Sequence, residues 1–124
     1  MPDARFPVET IGGVPVVRTP EQIDINNACY FREALLAAAE RGTGITVIHL
    51  SRTQFCDSAG LHALVAAHKR ARTAGGEVRL VVSDPHVLRM FTISGLDRVI
   101  ACHDDVGQAL APSSPHAASQ ARCA

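Results

Sequence analysis

The chain has 124 residues, an apolar fraction of 47 %, and 12 basic against 12 acidic side chains. This length is enough for one domain with a single core, and the apolar fraction excludes a disordered chain. The balanced charge gives no overall field that would attract nucleic acid or an anionic membrane. No apolar run approaches the ~20 residues of a membrane-spanning helix and no signal peptide is evident, so we expect cytoplasmic residence.

Cysteines and histidines give no indication of a metal or cofactor site. The 4 cysteines form no C-x-x-C pair, which favours thiols packed as small apolar groups over disulfides. His62 and His68 are six residues apart and face different sides of a helix, unlike the histidine pair of zinc helices. No glycine-rich phosphate cradle is present, and the basic cluster Lys69 to Arg72 comes at a predicted helix end, where cations are favourable.

Apolar spacing and turn residues predict alternating strands and helices. Two strands, 6–11 and 14–18, are joined by Gly12-Gly13, a hairpin signal. The later predicted elements are, in chain order, a helix from Asn26 or Asn27 to about Arg41, a strand 45–50, a helix 58–74, a strand 77–83, a helix opened by Asp84-Pro85 and broken at Ser94-Gly95-Leu96, a strand 99–102 and a helix 104–110. Beyond these, Ala, Ser and Pro dominate, so we predict one domain over 1–110 and a disordered tail over 111–124.

This order of elements predicts an α/β fold with a small, mostly parallel sheet that opens with an antiparallel hairpin, and about four helices. The strand 45–50 is nearly continuous in apolar character, as is typical of a central strand covered on both faces. Ligand and partner sites in such sheets lie beyond the carboxyl ends of the strands. One segment there holds Asp24 and another holds Asp57-Ser58, and we expect the two segments to be neighbours in space.

The Asp57-Ser58 pair fits several roles only in part. As a hydrolase nucleophile, Ser58 has Cys56 where a nucleophile elbow has glycine, and His62, one helical turn away, is not placed as in a triad. As an aspartyl-phosphate acceptor, Asp57 lacks the acidic cluster that holds Mg²⁺ and a nearby lysine.

A simple helix-capping role explains the hydroxyl of Ser58 but not Gly60. Glycine costs about 0.5–1 kcal/mol against alanine inside a helix. The missing side chain therefore either relieves close packing or leaves room for another protein's backbone.

Three segments resemble the anti-sigma factor antagonists, the bacterial STAS domains. F-C-D-S-A-G-L (55–61) is similar to the family signature F-x-D-S-S/T-G-L, and V-L-R-M-F-T-I-S-G-L (87–96) is similar to its R-L-F-x-x-S-G-L segment. A-G-G-E-V-R-L-V-V (74–82) resembles the family's glycine pair and following strand. The resemblance runs from about residue 8 to 110 and implies the STAS fold.

The resemblance also implies a function. The chain would be no enzyme but the substrate of an anti-sigma factor that is a serine kinase with a histidine-kinase-like ATPase fold. Unphosphorylated, it would bind this kinase and free the sigma factor; phosphorylation at Ser58 would release it, and a serine phosphatase could reset the switch. The implied partner surface consists of Asp24, Asp57, Ser58, Ala59, Gly60 and Leu61.

Two positions depart from the family pattern. Ala59 replaces a Ser or Thr, which leaves Ser58 as the acceptor, and Glu21-Gln22-Ile23-Asp24 replaces G-E-L/I-D. We expect the helix N-terminus to accommodate a phosphate in the free protein, and Asp57 and Asp24 to repel its roughly −1.5 to −2 charges at a docked interface. Gly60 would then provide clearance for the kinase or for the phosphoryl donor. A STAS scaffold or small-ligand sensor in a stress-signalling complex, and a hydrolase using Ser58, are the alternatives.

Overall fold

A five-stranded sheet forms the centre of the computed structural model, which describes residues 6–41 and 44–111. Its strands lie in the order β1-β2-β4-β6-β7, and β1 and β2 are antiparallel while the other neighbours are parallel. The strands are β1 (Val8–Ile11), β2 (Val14–Arg18), β4 (Ile45–His49), β6 (Glu77–Val81) and β7 (Ala101–His103). The α/β class and the mixed sheet that opens with a hairpin are therefore confirmed. Gly12 and Gly13 form the hairpin turn with φ of +59° and +83°, which suits glycine.

Two further strands pair with each other outside this sheet. They are β3 (Gln22–Ile23) and β5 (Phe55–Cys56), which run parallel with Ile23 opposite Cys56. The sequence did not predict them, because a two-residue strand is too short to show a period.

The part of the chain that the structure describes contains five helices: α1 (Ala28–Arg41), α2 (Ser58–Thr73), α3 (Pro85–Ser94), α4 (Leu96–Val99) and α5 (Val106–Leu110). The sequence predicted about four. Asp84 caps α3 and Pro85 is its first residue, as predicted, and Gly95 ends α3 with φ of +82°. Leu96 then begins α4 instead of continuing as loop, because its buried side chain joins the core, and the strand predicted at 99–102 is shifted to Ala101–His103.

The core lies on both faces of the sheet, as the apolar strand 45–50 predicted. On one face, Ile48 and Leu80 belong to the large cluster that also contains Phe31 of α1 and Leu64 of α2. On the other face, Val16, Val47, Val81 and Ala109 of α5 form a smaller cluster. Phe6 lies before β1 and stacks on Phe31, with ring centroids 5.1 Å apart.

Arg79 of β6 fixes α5 to the small-cluster face of the sheet. Its guanidinium is buried and donates hydrogen bonds to the carbonyl oxygens of Ala109 (2.7 Å) and Ala111 (2.8 Å), and it pairs with Glu77. These bonds satisfy carbonyl groups at the end of α5 that the helix itself leaves without partners. The tail predicted over 111–124 lies, apart from Ala111, outside the described residues.

Candidate functional site

Asp24 and Asp57 follow the two paired strands β3 and β5. The backbone amide of Asp57 donates to the carbonyl oxygen of Ile23 (3.0 Å), which extends the ladder by one residue. Because Ile23 lies opposite Cys56, the next residues of both strands are neighbours at the carboxyl end of this pair. The expectation that the two acidic segments meet in space is therefore confirmed.

Asp57 is the N-cap of α2. One oxygen of its carboxylate accepts hydrogen bonds from the amides of Ala59 (2.9 Å) and Gly60 (3.2 Å), and its backbone is extended (φ −89°, ψ −174°). This arrangement satisfies two of the N–H groups that a helix start leaves without partners.

The capping bonds correct one expectation. The helix N-terminus does not offer these two amides to a phosphate in the free protein, because the Asp57 carboxylate already occupies both. A phosphate on Ser58 would have to form beside this fixed negative charge.

Ser58 is the first residue of α2 and is exposed. Among the described residues its hydroxyl has no hydrogen-bond partner, His62 included. The neighbouring Ala59 and Leu61 are half-buried. The hydroxyl of Ser58 is therefore exposed to solvent at the start of α2, and the capping carboxylate of Asp57 fixes the first turn of that helix.

Gly60 is buried, and its missing side chain serves the packing of the domain itself. A Cβ atom at this position would lie 2.5 Å from the Sγ atom of Cys56 and 2.8 Å from the Cγ2 atom of Ile23. The expectation that Gly60 provides clearance for a kinase is wrong: β3 and β5 fill that space. The alternative stated from the sequence, relief of close packing, is the correct one.

The turn that carries Asp24 is held by its own side chains. The Asp24 carboxylate accepts from the amide of Asn26 (2.9 Å), and its carbonyl accepts from the amides of Asn27 (3.1 Å) and Ala28 (2.8 Å). Asn27 directly precedes α1, and its side chain accepts from the Asp24 amide and donates to the carbonyl of Gln22. These bonds fix the turn without the glycine of the family pattern.

Glu21, which stands at that glycine position, has a backbone role. Its carbonyl oxygen accepts from the amides of Gln54 (2.8 Å) and Phe55 (3.2 Å), so it fastens the start of β5. The replacement of G-E by Glu21-Gln22 is therefore compatible with the pairing of β3 and β5.

Cys56 underlies the site without a reactive role of its own. Burial, together with the nearby Asp57 carboxylate, raises the pKa of its thiol to about 12. Because the thiolate is the nucleophilic form, Cys56 stays an inert, packed side chain near neutral pH.

Sequence reasoning missed two exposed apolar side chains that lie close in sequence to Asp24 and Asp57. Ile25 follows Asp24 directly and Phe55 stands two residues before Asp57, and both are exposed. An isoleucine in the otherwise polar turn Asp24 to Asn27 was the available signal.

Two further properties of the described residues bear on function. No group of three or more His, Cys, Asp or Glu side chains in the ranges 6–41 and 44–111 is arranged to hold a metal ion. Within the same ranges, no helix has the length and apolar character needed to cross a bilayer.

Comparison with known proteins identifies the family. The profile of the STAS domain matches residues 5–109. The chain is 32 % identical over 79 residues to the anti-sigma-B factor antagonist of Bacillus subtilis, covering 64 % of this chain and 72 % of that protein. It is 29 % identical over 99 residues to the anti-sigma F factor antagonist of Paenibacillus polymyxa, covering 79 % and 85 %.

A crystal structure of an anti-sigma factor antagonist from Mycobacterium paratuberculosis superposes with a TM-score of 0.77 at 28 % identity, covering 85 % of this chain and 89 % of that one. Because the STAS domain profile matches most of its length, the chain belongs to the STAS domain family. Its relatives in that family are named anti-sigma factor antagonists, which are regulatory proteins.

Proposed function

We propose that this chain is an anti-sigma factor antagonist controlled by phosphorylation of Ser58. In its unphosphorylated form it binds an anti-sigma factor that is also a serine kinase, with a histidine-kinase-like ATPase fold, and so frees the sigma factor in the cytoplasm. Transfer of a phosphoryl group from ATP to Ser58 releases the domain from that kinase. The domain contributes the substrate hydroxyl, and the catalytic groups belong to the partner.

One observation carries the proposal: Ser58 presents an exposed hydroxyl directly beside the fixed carboxylate of Asp57, and Asp24 lies directly after the neighbouring strand β3. A kinase can reach such a hydroxyl without unfolding the helix. Once phosphorylated, Ser58 adds roughly −1.5 to −2 charges beside Asp57. In an interface that has formed around the carboxylates, this charge would be buried without a partner.

The magnitude is sufficient for a switch. Burying even a neutral polar group without a hydrogen bond costs about 2–7 kcal/mol. A cost of about 3–4 kcal/mol already lowers affinity more than a hundredfold, since each 1.4 kcal/mol is a factor of ten. The proposed contact surface comprises the exposed or half-buried Asp24, Asp57, Ser58, Ala59 and Leu61, and Gly60 supports it from below.

The direct test is intact mass spectrometry of the purified chain after incubation with ATP and each anti-sigma kinase of the source organism in turn. We expect one kinase to add a single phosphate to the wild type and none to Ser58→Ala. A phosphate on Ser58→Ala would refute the site. If no kinase modifies the wild type, the proposed function is wrong.

A second candidate function, sensing of a small anion, has one observation in its favour. An open cavity of about 580 Å³ lies at the carboxyl ends of β2 and β4, where ligands of parallel sheets bind, and Arg18, His49 and Arg52 line it. Glu21 also lines the cavity and Glu9 pairs with Arg18, so these two acidic residues offset part of this positive charge. Inorganic phosphate should raise the melting temperature of the wild type but not of Arg52→Ala if this function is correct.

A further inference from the structure

The described residues expose five large apolar side chains, and their placement is uneven. They are Ile25, Tyr30, Phe55, Ile93 and Val99. Three of them, Ile25, Tyr30 and Phe55, belong to the two chain segments around the acidic pair: the turn between β3 and α1, the first turn of α1, and β5 itself. Single exposed apolar side chains are ordinary on protein surfaces, but several beside one functional group indicate a contact surface.

The local structure explains why these side chains point outward. Successive side chains of a strand point to opposite sides, so Cys56 is buried against Gly60 while Phe55 is 46 % exposed. Ile25 lies in the Asp24–Asn27 turn, which backbone hydrogen bonds fix, and is 79 % exposed. Neither side chain can turn into the core without breaking β3, β5 or that turn.

We propose that Ile25 and Phe55 form the apolar part of the surface that the anti-sigma kinase covers when it docks over Ser58. This inference rests on the proposed function and adds the residues that supply binding energy. The partner face would hold an apolar patch, with a basic side chain directed at Asp24 and Asp57. Protein interfaces commonly combine a central apolar contact with a polar rim, and a few such side chains carry most of the affinity.

This division of roles explains how one phosphate can act as a switch. The apolar contacts do not change with phosphorylation, and they keep the unphosphorylated complex stable. The charge on phosphorylated Ser58 then opposes that constant contribution. The binding free energy that Ile25 and Phe55 supply therefore determines how large the unfavourable contribution of the phosphate must be before the complex dissociates.

The chain offers a matched control for the test. Ile93 of α3 is the same residue type with nearly the same exposure, 76 % against 79 % for Ile25. We expect Ile25→Ser to weaken binding to the kinase that phosphorylates Ser58 at least tenfold in isothermal titration calorimetry. Ile93→Ser should bind within twofold of the wild type. Thermal melting shows whether each variant is folded.

A second pair of variants repeats the test with Phe55→Ser in β5, which is compared with Val99→Ser at the end of α4. If Phe55→Ser fails to fold, Ile25→Ser alone decides, since Ile25 lies in a turn and makes little contact with the core. Wild-type affinity in folded Ile25→Ser, or an equal loss in Ile93→Ser, would overturn the inference while phosphorylation of Ser58 leaves the proposed function intact. A wild type that no kinase phosphorylates would overturn both.

Discussion

The amide of Asp57 donates a hydrogen bond to the carbonyl oxygen of Ile23, at 3.0 Å. This bond joins the end of β5 to the end of β3, so that the turn with Asp24 and the start of α2 with Ser58 form one surface. Residues more than thirty positions apart in sequence thereby lie next to each other. The position of Ser58 depends on this small two-stranded sheet as much as on the helix that follows it.

The packing of Gly60 gives the first prediction. In Gly60→Ala, the new Cβ atom would approach Cys56 Sγ and Ile23 Cγ2 far below van der Waals distance. We expect a loss of about 1–3 kcal/mol in the free energy of unfolding, as for other overpacked cores, although alanine favours helix formation by about 0.5–1 kcal/mol. Urea denaturation measures this loss.

The double variant Cys56→Ala/Gly60→Ala provides the control. Removal of the sulfur relieves the closer of the two contacts, so the double variant should lose less than the sum of the two single losses. Equal stability of Gly60→Ala and the wild type would show that this glycine does not have the packing role assigned to it.

The capping bonds of Asp57 give the second prediction. Asp57→Ala leaves the amides of Ala59 and Gly60 without their acceptor and should cost about 0.5–2 kcal/mol. Asp84 is a matched control because it caps α3 in the same way, by accepting from His86 and Val87. Asp84→Ala should lose similar stability but leave the rate of Ser58 phosphorylation unchanged.

Asp57→Ala should change both the free energy of unfolding and the rate of Ser58 phosphorylation, since it removes the helix cap and also a charge beside the acceptor hydroxyl. Phosphorylation rates that fall equally in the two variants would assign the effect of Asp57 to stability alone.

Buried His68 gives the third prediction, a pH dependence of stability. Burial, with Arg72 as the next cause, lowers the pKa of His68, while Glu77 acts in the opposite direction, and its Nδ1 atom lacks a hydrogen-bond partner among the described residues. Below pH 6.5 the unfolded chain takes up a proton that the folded protein resists. Stability should therefore be full above about pH 7 and fall as the pH drops through 6.

Replacement of His68 by leucine tests this assignment. Unfolding midpoints measured between pH 5 and 8 should vary less in His68→Leu than in the wild type. A remaining dependence is expected from His103, whose pKa is also lowered by burial and by Arg79. An unchanged pH profile in His68→Leu would contradict the assignment.

The main helices and strands could be predicted because their apolar patterns are long. The β3–β5 pair and the packing at Gly60 could not, because they depend on contacts between residues distant in sequence. Ile45 to Leu50 identified a strand covered on both faces because its apolar character is nearly continuous, and Asp84-Pro85 marked the start of α3 by local chemistry. The pairing of Ile23 with Cys56 has no local signal, since it depends on where two distant segments meet. The role of Gly60 was undecided for the same reason.

The proposed function makes partner binding depend on the charge that phosphorylation would add at Ser58, and one affinity comparison tests this most directly. The wild type, phosphorylated at Ser58 by its kinase and repurified, is titrated by calorimetry into the same kinase beside the unphosphorylated protein, with Ser58→Ala as the control. We expect the phosphorylated form to bind at least a hundredfold more weakly and Ser58→Ala to match the unphosphorylated wild type. Equal affinities of the two forms would contradict the switch.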